Sequence, residues 1–168
     1  MYPLNDSLVI ETPIGFLLAI VNDRGLFSLR VIESKEAWMG QFVTLKGQAL
    51  LADVQLQLTN YFKGSLDMFS IPLDLRGTTF QQLVWSSLCT VPYGDISTYK
   101  VQAESIGKPK AFRAVGHANA LNPISIIIPC HRIVRTDKKI GGYAYGYERK
   151  AWLIAHEAKH RPTLLSSI

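Results

Sequence analysis

Cysteine is scarce in this chain: only Cys89 and Cys130 occur among its 168 residues, and neither lies in a CxxC pair or a Cys/His cluster with zinc-finger spacing. A disulfide framework or a structural zinc site is therefore not expected. Residues 1–76 contain no cysteine and no histidine, which excludes a Cys/His metal site in that part of the chain. A reducing compartment, where a thiol survives, fits this cysteine usage best.

Long hydrophobic runs are also missing. No apolar stretch reaches 18 residues, and residues 1–6 lack the basic and then apolar pattern of a secretory signal. We therefore expect a soluble, intracellular protein without a membrane segment. Because 48% of the residues are hydrophobic, the chain can bury a core without metal or disulfide cross-links.

Charge is distributed unevenly along the chain. Residues 1–76 contain 6 Lys/Arg and 8 Asp/Glu, whereas residues 77–168 contain 12 Lys/Arg and only 5 Asp/Glu. A basic surface favours encounters with phosphate polyanions such as nucleic acids. Taken alone, the same excess also fits an ordinary solvated basic face.

The first half alternates strand-forming runs with turn residues. Runs at residues 8–11, 16–21 and 26–32 predict an antiparallel meander, and the helical apolar spacing over residues 49–62 predicts one helix that covers it. A last, edge-like strand is predicted at residues 69–72. The first half is thus expected to be a small α+β unit without obvious chemistry of its own.

The pattern becomes helical after Gly77, where we place a domain boundary between residues 1–76 and 77–168. Thr78 or Thr79 is predicted to cap a helix over residues 80–89, and Ser97 or Thr98 a second helix that runs to residue 106. Residues 107–109 break this helix, and residues 110–120 resume it. Two helices joined by a short glycine-containing turn form the helix-turn-helix pattern.

The second helix of this pair is unusually slim. Ala111, Ala114, Gly116, Ala118 and Ala120 are all small, so the helix can approach another backbone closely. That backbone is either DNA or a neighbouring helix of the protein, and the helix-turn-helix pattern alone fits both interpretations.

The most reactive residue predicted from local chemistry is Cys130. It follows a buried, β-like run at residues 124–128 and precedes His131 and Arg132, whose charge is expected to lower the pKa of its thiol. Cys89, on the apolar side of a predicted helix, is expected to serve packing only.

Six blocks of sequence together resemble the O6-alkylguanine-DNA alkyltransferases. NPISIIIPCHRIV at residues 122–134 is similar to the active-site motif of that family at nearly every position. The supporting blocks are FQQLVW (80–85), VPYG (91–94) with Tyr99, AFRAVG (111–116), GGY (141–143), and RKAWL (149–153) leading to His156 and Glu157. The resemblance covers residues 77–168 and, more loosely, the first half.

The resemblance implies a mechanism for these residues. Cys130 is expected to accept the alkyl group from O6 of guanine, after His131 and Glu157 have removed the thiol proton. Tyr99 is expected to donate a hydrogen bond to the purine N3 as the base departs. Asn122 is expected to brace the turn before the active-site segment by bonding to backbone.

The resemblance also implies how DNA and the damaged base are bound. Arg113 is expected to fill the gap left by the flipped nucleotide, while Ala111, Ala114 and Gly116 face the minor groove. The base pocket is expected to include the backbone carbonyls of Cys130 and Ile133, the backbone N–H near Ala144, and the ring of Tyr143. Because Tyr145 and Tyr147 make the 141–147 loop aromatic, we expect a tight pocket that disfavours bulky O6 adducts.

At the level of the whole chain, the resemblance implies an α/β (α+β) protein with a ribonuclease H-like first domain and a winged helix-turn-helix second domain. The expected partner is double-stranded DNA carrying O6-alkylguanine, bound by a monomer without a cofactor or metal. The expected location is the cytoplasm, at the nucleoid or nucleus where the DNA lies.

Three other functions are compatible with parts of the sequence. A non-catalytic damage-binding relative would keep Arg113 but lack an acceptor thiol, which Cys130 argues against. A helix-turn-helix regulator would need base-reading Asn or Gln early in the second helix, and none is present there. A cysteine hydrolase would use Cys130, His131 and Glu157 as a triad and would turn over repeatedly.

Overall fold

The computed structural model describes residues 5–35 and 44–162 of the chain. In chain order its elements are β1 (Asp6–Thr12), β2 (Gly15–Val21), β3 (Leu26–Ile32), α1 (Leu45–Phe62), α2 (Thr79–Leu88), β4 (Ser97–Thr98), α3 (Tyr99–Ser105), α4 (Phe112–Ala120), a 3-10 turn (Cys130–Arg132), β5 (Ile133–Val134) and α5 (Tyr147–Lys159). The fold is therefore mixed α/β, with a small sheet first and a mostly helical part after it. None of the helices in the described part of the chain has the length and apolar character needed to cross a membrane.

Strands β1, β2 and β3 form the predicted antiparallel meander. Gly15 opens β2 with a φ of +109°, a conformation that residues with a side chain rarely adopt. In the next turn, the Asn22 side-chain oxygen accepts hydrogen bonds from the N–H groups of Arg24 and Gly25. Turn chemistry that is visible in the sequence thus sets both hairpins.

Helix α1 covers this sheet and begins at Leu45 rather than at the predicted residue 49. Thr44 caps it by accepting a hydrogen bond from the Gly47 N–H, which adds a first turn that the apolar spacing does not show. The fully buried side chains of α1 include Leu51, Val54, Leu58 and Tyr61.

The edge strand predicted at residues 69–72 is absent, so that prediction was wrong. A single bridge pairs Leu26 with Leu73 instead. At this bridge the Leu26 N–H donates to the Pro72 carbonyl, and the Asp74 N–H donates to the Leu26 carbonyl. Pro72 has no N–H to donate, so it cannot take part in a longer ladder.

Two helices of the second half, α2 and α3, begin where the sequence predicts caps. Thr78 and Gln81 form a complete capping box at α2, and Thr98 caps α3 by accepting from the Val101 N–H. Helices α3 and α4 form the predicted helix-turn-helix. A hydrogen bond of 2.7 Å from Asn119 Nδ2 on α4 to Gln102 Oε1 on α3 connects the two helices. Strands β4 and β5 pair in parallel beside the start of α3.

Ile124, Ile126 and Ile128 are buried as predicted, but residues 124–128 form a tight turn rather than a β-like run. Ser125, the polar exception in this run, is buried as well. The Ser125 N–H and hydroxyl both donate to the Leu29 carbonyl of β3, at 2.9 and 2.8 Å, and the Leu29 N–H donates to the Pro123 carbonyl at 2.9 Å. Ile126 has a φ of +72°, which is strained for a β-branched residue. Docking onto β3 therefore overrides the local preference of this isoleucine-rich segment.

The prediction that Cys89 serves packing was wrong. Cys89 is exposed at the C-terminal cap of α2. The buried face of this helix consists of Val84, Trp85 and Leu88. Cys89 is the cap residue beyond the end of this helix, where its thiol lies 3.7 Å from the Trp85 carbonyl and stays accessible to solvent.

Candidate active site

A cavity of about 300 Å³ opens where α3, α4, the 3-10 turn and the loop before α5 meet. A volume of this size is at the lower end of the range found for small-molecule sites. The cavity is lined by Tyr99, Gly116, Asn119, Ala120, Asn122, Cys130, Gly142, Tyr143, Ala144 and Tyr145. Six of the predicted site residues, distant in sequence, thus share one cavity wall.

Cys130 is held at the cavity wall as the first residue of the 3-10 turn, with only 9% of its surface exposed. Burial raises the pKa of its thiol, and the hydrogen bond from Asn122 Nδ2, 3.2 Å from Sγ, offsets this only in part. The resting group is therefore a neutral thiol. A base must remove its proton before it can act as a nucleophile.

The pKa of the Cys130 thiol is raised rather than lowered, contrary to the expectation from the sequence. Arg132 is bound to other groups. Its Nε donates to Glu157 Oε2 at 2.8 Å and its NH1 to the Val91 carbonyl at 2.7 Å. The cation that favours the Cys130 thiolate is Lys150. The guanidinium of Arg132 is thus paired with the carboxylate of Glu157.

Lys150 lies fully buried on α5 and ties two backbone segments together. Its Nζ donates to the Ile133 carbonyl at 2.6 Å and to the Gly142 carbonyl at 3.0 Å. Burial lowers the pKa of Lys150 to about 8. Because Gly142 lines the cavity, this ammonium group holds the cavity loop against β5.

His131 is fully buried behind the cavity, with Nε2 2.7 Å from Glu157 Oε1. Burial lowers the pKa of His131, so its imidazole is neutral near pH 7. A carboxylate can only accept a hydrogen bond, so Nε2 carries the proton. Nδ1 therefore has a free lone pair, and it is buried without a hydrogen-bond partner in the described residues. The ring is in the tautomer that can receive a proton at Nδ1.

Glu157 is a buried carboxylate surrounded by donors. Oε1 accepts from Tyr61 at 2.7 Å, from His131 at 2.7 Å and from Arg132 NH2 at 3.1 Å, while Oε2 accepts from Arg132 Nε and, at 3.3 Å, from the Gly94 N–H. Burial alone would raise the pKa of this carboxyl. The hydrogen bonds from His131 and Arg132, together with the charge of Arg132, hold it well below its usual range. Glu157 is therefore charged at any physiological pH.

Asn122 braces the turn that carries Cys130. Its Nδ2 donates to the Ile128 carbonyl at 2.7 Å as well as to Cys130 Sγ, and its Oδ1 accepts from the Ile124 N–H at 3.0 Å. These three bonds connect both ends of the 124–128 turn. The predicted backbone-bracing contact is present in the structure.

Aromatic side chains form much of the cavity wall. Burial raises the pKa of Tyr99 and, more strongly, that of Tyr143, so both hydroxyls stay protonated and can donate. The Tyr143 hydroxyl has no hydrogen-bond partner in the described residues, and its ring meets that of Tyr145 edge to face at 5.6 Å. Tyr147 is 62% exposed at the start of α5 and does not line the cavity, so its predicted contribution to a tight pocket was wrong.

Of the predicted pocket residues Ala144 and Ile133, only one lies in the cavity wall. Ala144 lines the cavity as expected. Ile133 lies on β5, is not in the cavity wall, and already uses its carbonyl to accept from Lys150.

Two of the four residues predicted to bind DNA at α4 lie exposed on the protein surface. Arg113 and Ala114 are exposed, Ala111 is half-buried, and Gly116 turns toward Tyr99, whose ring lies 3.6 Å from where a Cβ would stand. The Arg113 guanidinium lies 5.9 Å from the Phe112 ring centre. The first turn of α4 contains no acidic residue, so an anion can approach it without repulsion.

Sequence reasoning missed two buried residues of this site. Lys150 precedes Glu157 by two helical turns, so helical spacing could have placed both on one face of α5. Tyr61 is 96 residues from Glu157, and no local signal links the two. No group of three or more His, Cys, Asp or Glu suited to a metal ion occurs within residues 5–35 and 44–162.

Two family models match the chain. The model described as 6-O-methylguanine DNA methyltransferase, ribonuclease-like domain, matches residues 8–75. The model described as 6-O-methylguanine DNA methyltransferase, DNA binding domain, matches residues 79–159.

Similar proteins cover nearly the whole chain. The methylated-DNA–protein-cysteine methyltransferase of Methanosarcina barkeri is 44% identical over 149 residues, covering 89% of this chain and 94% of that protein. The protein of the same name from Mycobacterium tuberculosis H37Rv is 42% identical over 157 residues, covering 94% of each. The crystal structure of M. tuberculosis O6-methylguanine methyltransferase gives a TM-score of 0.80 at 39% identity, over 95% of this chain and 96% of that one. The structure of M. tuberculosis OGT in complex with DNA gives a TM-score of 0.79 at 41% identity, over 92% and 94%.

Proposed function

This chain belongs to the 6-O-methylguanine DNA methyltransferase family, and we propose that Cys130 is the residue that accepts the alkyl group. The protein repairs DNA by direct reversal: it binds double-stranded DNA that carries O6-alkylguanine and transfers the alkyl group to a cysteine of its own. The observation that supports Cys130 is its position, because of the two cysteines it alone lines the cavity.

Proton removal is the first step of the proposed reaction. His131 receives the thiol proton at Nδ1, by way of a water, while Glu157 holds the Nε2 proton and stabilises the imidazolium that forms. The neutral imidazole and the permanent carboxylate described above are the protonation states that this step requires. Lys150 favours the thiolate through its charge.

Displacement at carbon follows. The Cys130 sulfur attacks the carbon attached to O6; a C–S bond forms, the C–O bond breaks, and its electron pair goes to the guanine base. Tyr99, which stays protonated, donates a hydrogen bond to N3 of the base and stabilises the negative charge until a proton from solvent restores guanine. The thioether product is stable, so each chain acts once.

Backbone groups are proposed to recognise the base. The Cys130 carbonyl accepts from the guanine amino group, the N–H near Ala144 donates to O6, and the Tyr143 ring forms a wall. Ile133 is not assigned this role, because it lies outside the cavity wall and its carbonyl already accepts from Lys150.

Helix α4 is proposed to bind DNA along the minor groove. The reacting carbon cannot be reached inside a base stack, so the damaged nucleotide must rotate out. The exposed Arg113 fills the space that it leaves, while Ala111, Ala114 and Gly116 allow close approach of the groove. The basic character of residues 77–168 supports binding to the phosphate backbone of DNA.

We further propose two domains, residues 1–76 and 77–168, in a protein that acts as a monomer. A functional thiol at Cys130 requires a reducing environment, which supports a cytoplasmic location at the nucleoid, or at the nucleus in a cell that has one.

The acceptor assignment is tested by mixing the protein with duplex DNA containing O6-methylguanine and measuring intact mass, followed by peptide mapping. We expect one methyl group per chain, on Cys130. Cys130→Ser should accept none, whereas the matched variant Cys89→Ser should react like the wild type. Repeated turnover without an adduct would indicate a hydrolase, and binding without transfer would indicate a damage-binding protein.

Tyr145 is proposed to limit the size of the adduct. Its ring narrows the cavity beside Tyr143, so O6-benzylguanine should react more slowly than O6-methylguanine in the same duplex. Tyr145→Gly should raise the benzyl rate relative to the methyl rate. Comparable rates for both adducts in the wild-type protein would show the proposal to be wrong.

A further inference from the structure

The hydroxyl of Tyr61 reaches the relay from the other half of the chain. It donates to Glu157 Oε1 at 2.7 Å, the same oxygen that lies 2.7 Å from His131 Nε2. The remaining hydrogen-bond donors to this carboxylate among the described residues, Gly94 and Arg132, come from the second half. Tyr61 lies on α1, which packs on the sheet of the first half.

We propose that Tyr61 is a positioning residue for alkyl transfer: its hydroxyl fixes the orientation and the acceptor strength of the carboxylate that holds His131. The first half of the chain thereby completes the relay. This inference rests on the proposed function, since it assumes that His131 receives the Cys130 proton.

Tyr61 acts as a donor only. Burial and the negative charge of Glu157 raise the pKa of its hydroxyl well above the ordinary value. The hydroxyl therefore keeps its proton over the whole range in which His131 titrates. It cannot exchange roles with His131, so its effect on the relay is constant.

The position of Tyr61 is fixed by its surroundings. The side chain is fully buried, and its backbone carbonyl accepts a hydrogen bond of 2.8 Å from His156 Nε2. Its ring packs edge to face against Phe62 at 5.2 Å and against Tyr93 at 6.0 Å. A donor held this firmly is preorganised, so it orients Glu157 without an entropic cost during the reaction.

The charges around His131 explain why this donor matters. Arg132 from the 3-10 turn and Lys150 from α5 oppose protonation of the imidazole, whereas Glu157 favours it. Two other titratable groups adjoin the pair: Tyr93, whose hydroxyl pKa is raised in part by the charge of Glu157, and Cys130, which precedes His131 in the 3-10 turn. His156 contacts Tyr61 instead, with ring centroids 5.4 Å apart. Because the Tyr61 hydroxyl donates a hydrogen bond to Oε1, that oxygen is a weaker acceptor for the protonated ring of His131, and the carboxylate stabilises the imidazolium less. It thus helps to keep His131 neutral, which is the form that can accept the thiol proton.

The test compares Tyr61→Phe with Tyr93→Phe. Both variants lose one buried hydroxyl from the same aromatic cluster, but the Tyr93 hydroxyl has no hydrogen-bond partner in the described residues. The single-turnover rate on O6-methylguanine duplex is measured across pH, and His131 is titrated by NMR of its ring nitrogens. For Tyr61→Phe we expect His131 to titrate at higher pH, and the acid limb of the rate profile to shift upward by about one pH unit. On that limb the single-turnover rate should be about tenfold below that of the wild type, and the difference should disappear at alkaline pH. Tyr93→Phe should keep the wild-type profile.

Three results would overturn the inference: a wild-type profile in folded Tyr61→Phe, a loss that is uniform across pH, or the same shift in Tyr93→Phe. If Tyr61→Phe does not fold, the wild-type protein provides the test. Its Tyr61 hydroxyl proton should give a slowly exchanging NMR signal that moves as His131 titrates, and a signal that does not move would contradict the inference. Wild-type protein that transfers no alkyl group to Cys130 would instead overturn the proposed function, and this inference with it.

Discussion

The two halves of the chain differ in how they serve the site. The second half supplies the cavity, the thiol, the imidazole and the carboxylate, and it buries several ionisable groups to do so. The first half is a sheet and a helix with an almost wholly apolar core, and it touches the site machinery by hydrogen bonds at Tyr61 and Leu29. The second half therefore carries the reacting groups, and the first half helps to bury and position them.

Burial explains why the reactive half needs the other. Glu157 and Arg132 are 1% and 8% exposed, and a buried ion pair is maintained only where its hydrogen-bonding capacity is satisfied. Helix α1 covers this pair and adds the Tyr61 hydroxyl as a further donor. Contacts inside the second half and contacts that join the halves should therefore respond differently to substitution.

The largest effect is expected for Glu157→Gln, which disrupts the relay and its link to α1 together. Arg132 is left as an uncompensated buried charge, at a cost of about 3–5 kcal/mol in the free energy of unfolding. The alkyl-transfer rate should fall by a factor on the order of 10² to 10⁴ because His131 loses its carboxylate. Urea unfolding and single-turnover kinetics measure the two effects. The matched control, Asp137→Asn, removes a carboxylate from exposed pairs with Arg135 and Lys139 and should cost less than about 1 kcal/mol.

A smaller effect, confined to the second half, is expected for Asn122→Ala. The substitution leaves the Ile124 N–H without its acceptor and removes a donor from the Ile128 carbonyl and Cys130 Sγ. We expect a loss of about 1–3 kcal/mol in the free energy of unfolding. Alkyl transfer should also slow, since the hydrogen bond to sulfur favours the thiolate. Full stability in the variant, measured by urea unfolding, would mean that the 124–128 turn does not depend on Asn122.

Mild acid should affect the halves differently. The pKa of His131 is lowered in the folded protein, so its contribution to stability is complete above the unfolded pKa of about 6.5 and is lost as the pH falls below it. Glu157, whose pKa is also lowered, adds a loss below about pH 4.3. Each unit of lowered pKa corresponds to about 1.4 kcal/mol. Hydrogen exchange at pH 7 and pH 5 should therefore show loss of protection first in α5 and the 3-10 turn. Equal loss in β1–β3 would mean that the halves open together.

Much of this fold and site could be predicted from the sequence, because several signals are local. Apolar alternation and turn residues predicted the meander, and the cap at Thr78 predicted the start of α2. The family motif predicted that Cys130, Asn122 and Tyr99 share one site, and all three line the cavity.

The remaining features depend on tertiary contacts that local sequence does not encode. The isoleucines at residues 124–128 favour a strand, but docking onto Leu29 forces Ile126 into a left-handed turn. Arg132 follows Cys130 in sequence, yet the carboxylate of Glu157 draws its charge away from the thiol. Tyr61 is one of several apolar positions on α1, and only the packing of that helix against α5 gives its hydroxyl a role.

The smallest effect is expected for Ser125→Ala, which weakens the contact between the halves at Leu29. The Ser125 hydroxyl donates to the Leu29 carbonyl at 2.8 Å, but the Ser125 N–H donates to the same oxygen at 2.9 Å and remains in the variant. Because the carbonyl keeps one donor, we expect a loss of about 1 kcal/mol in the free energy of unfolding, with unfolding still in one transition. Ser105→Ala is the matched control, since its hydroxyl donates within α3 to Gln102 at 2.8 Å and joins nothing across the halves. Biphasic urea unfolding of Ser125→Ala, with a single transition in Ser105→Ala, would mean that the two halves are coupled chiefly through Leu29. The contact at Tyr61 would then serve the relay without holding the halves together.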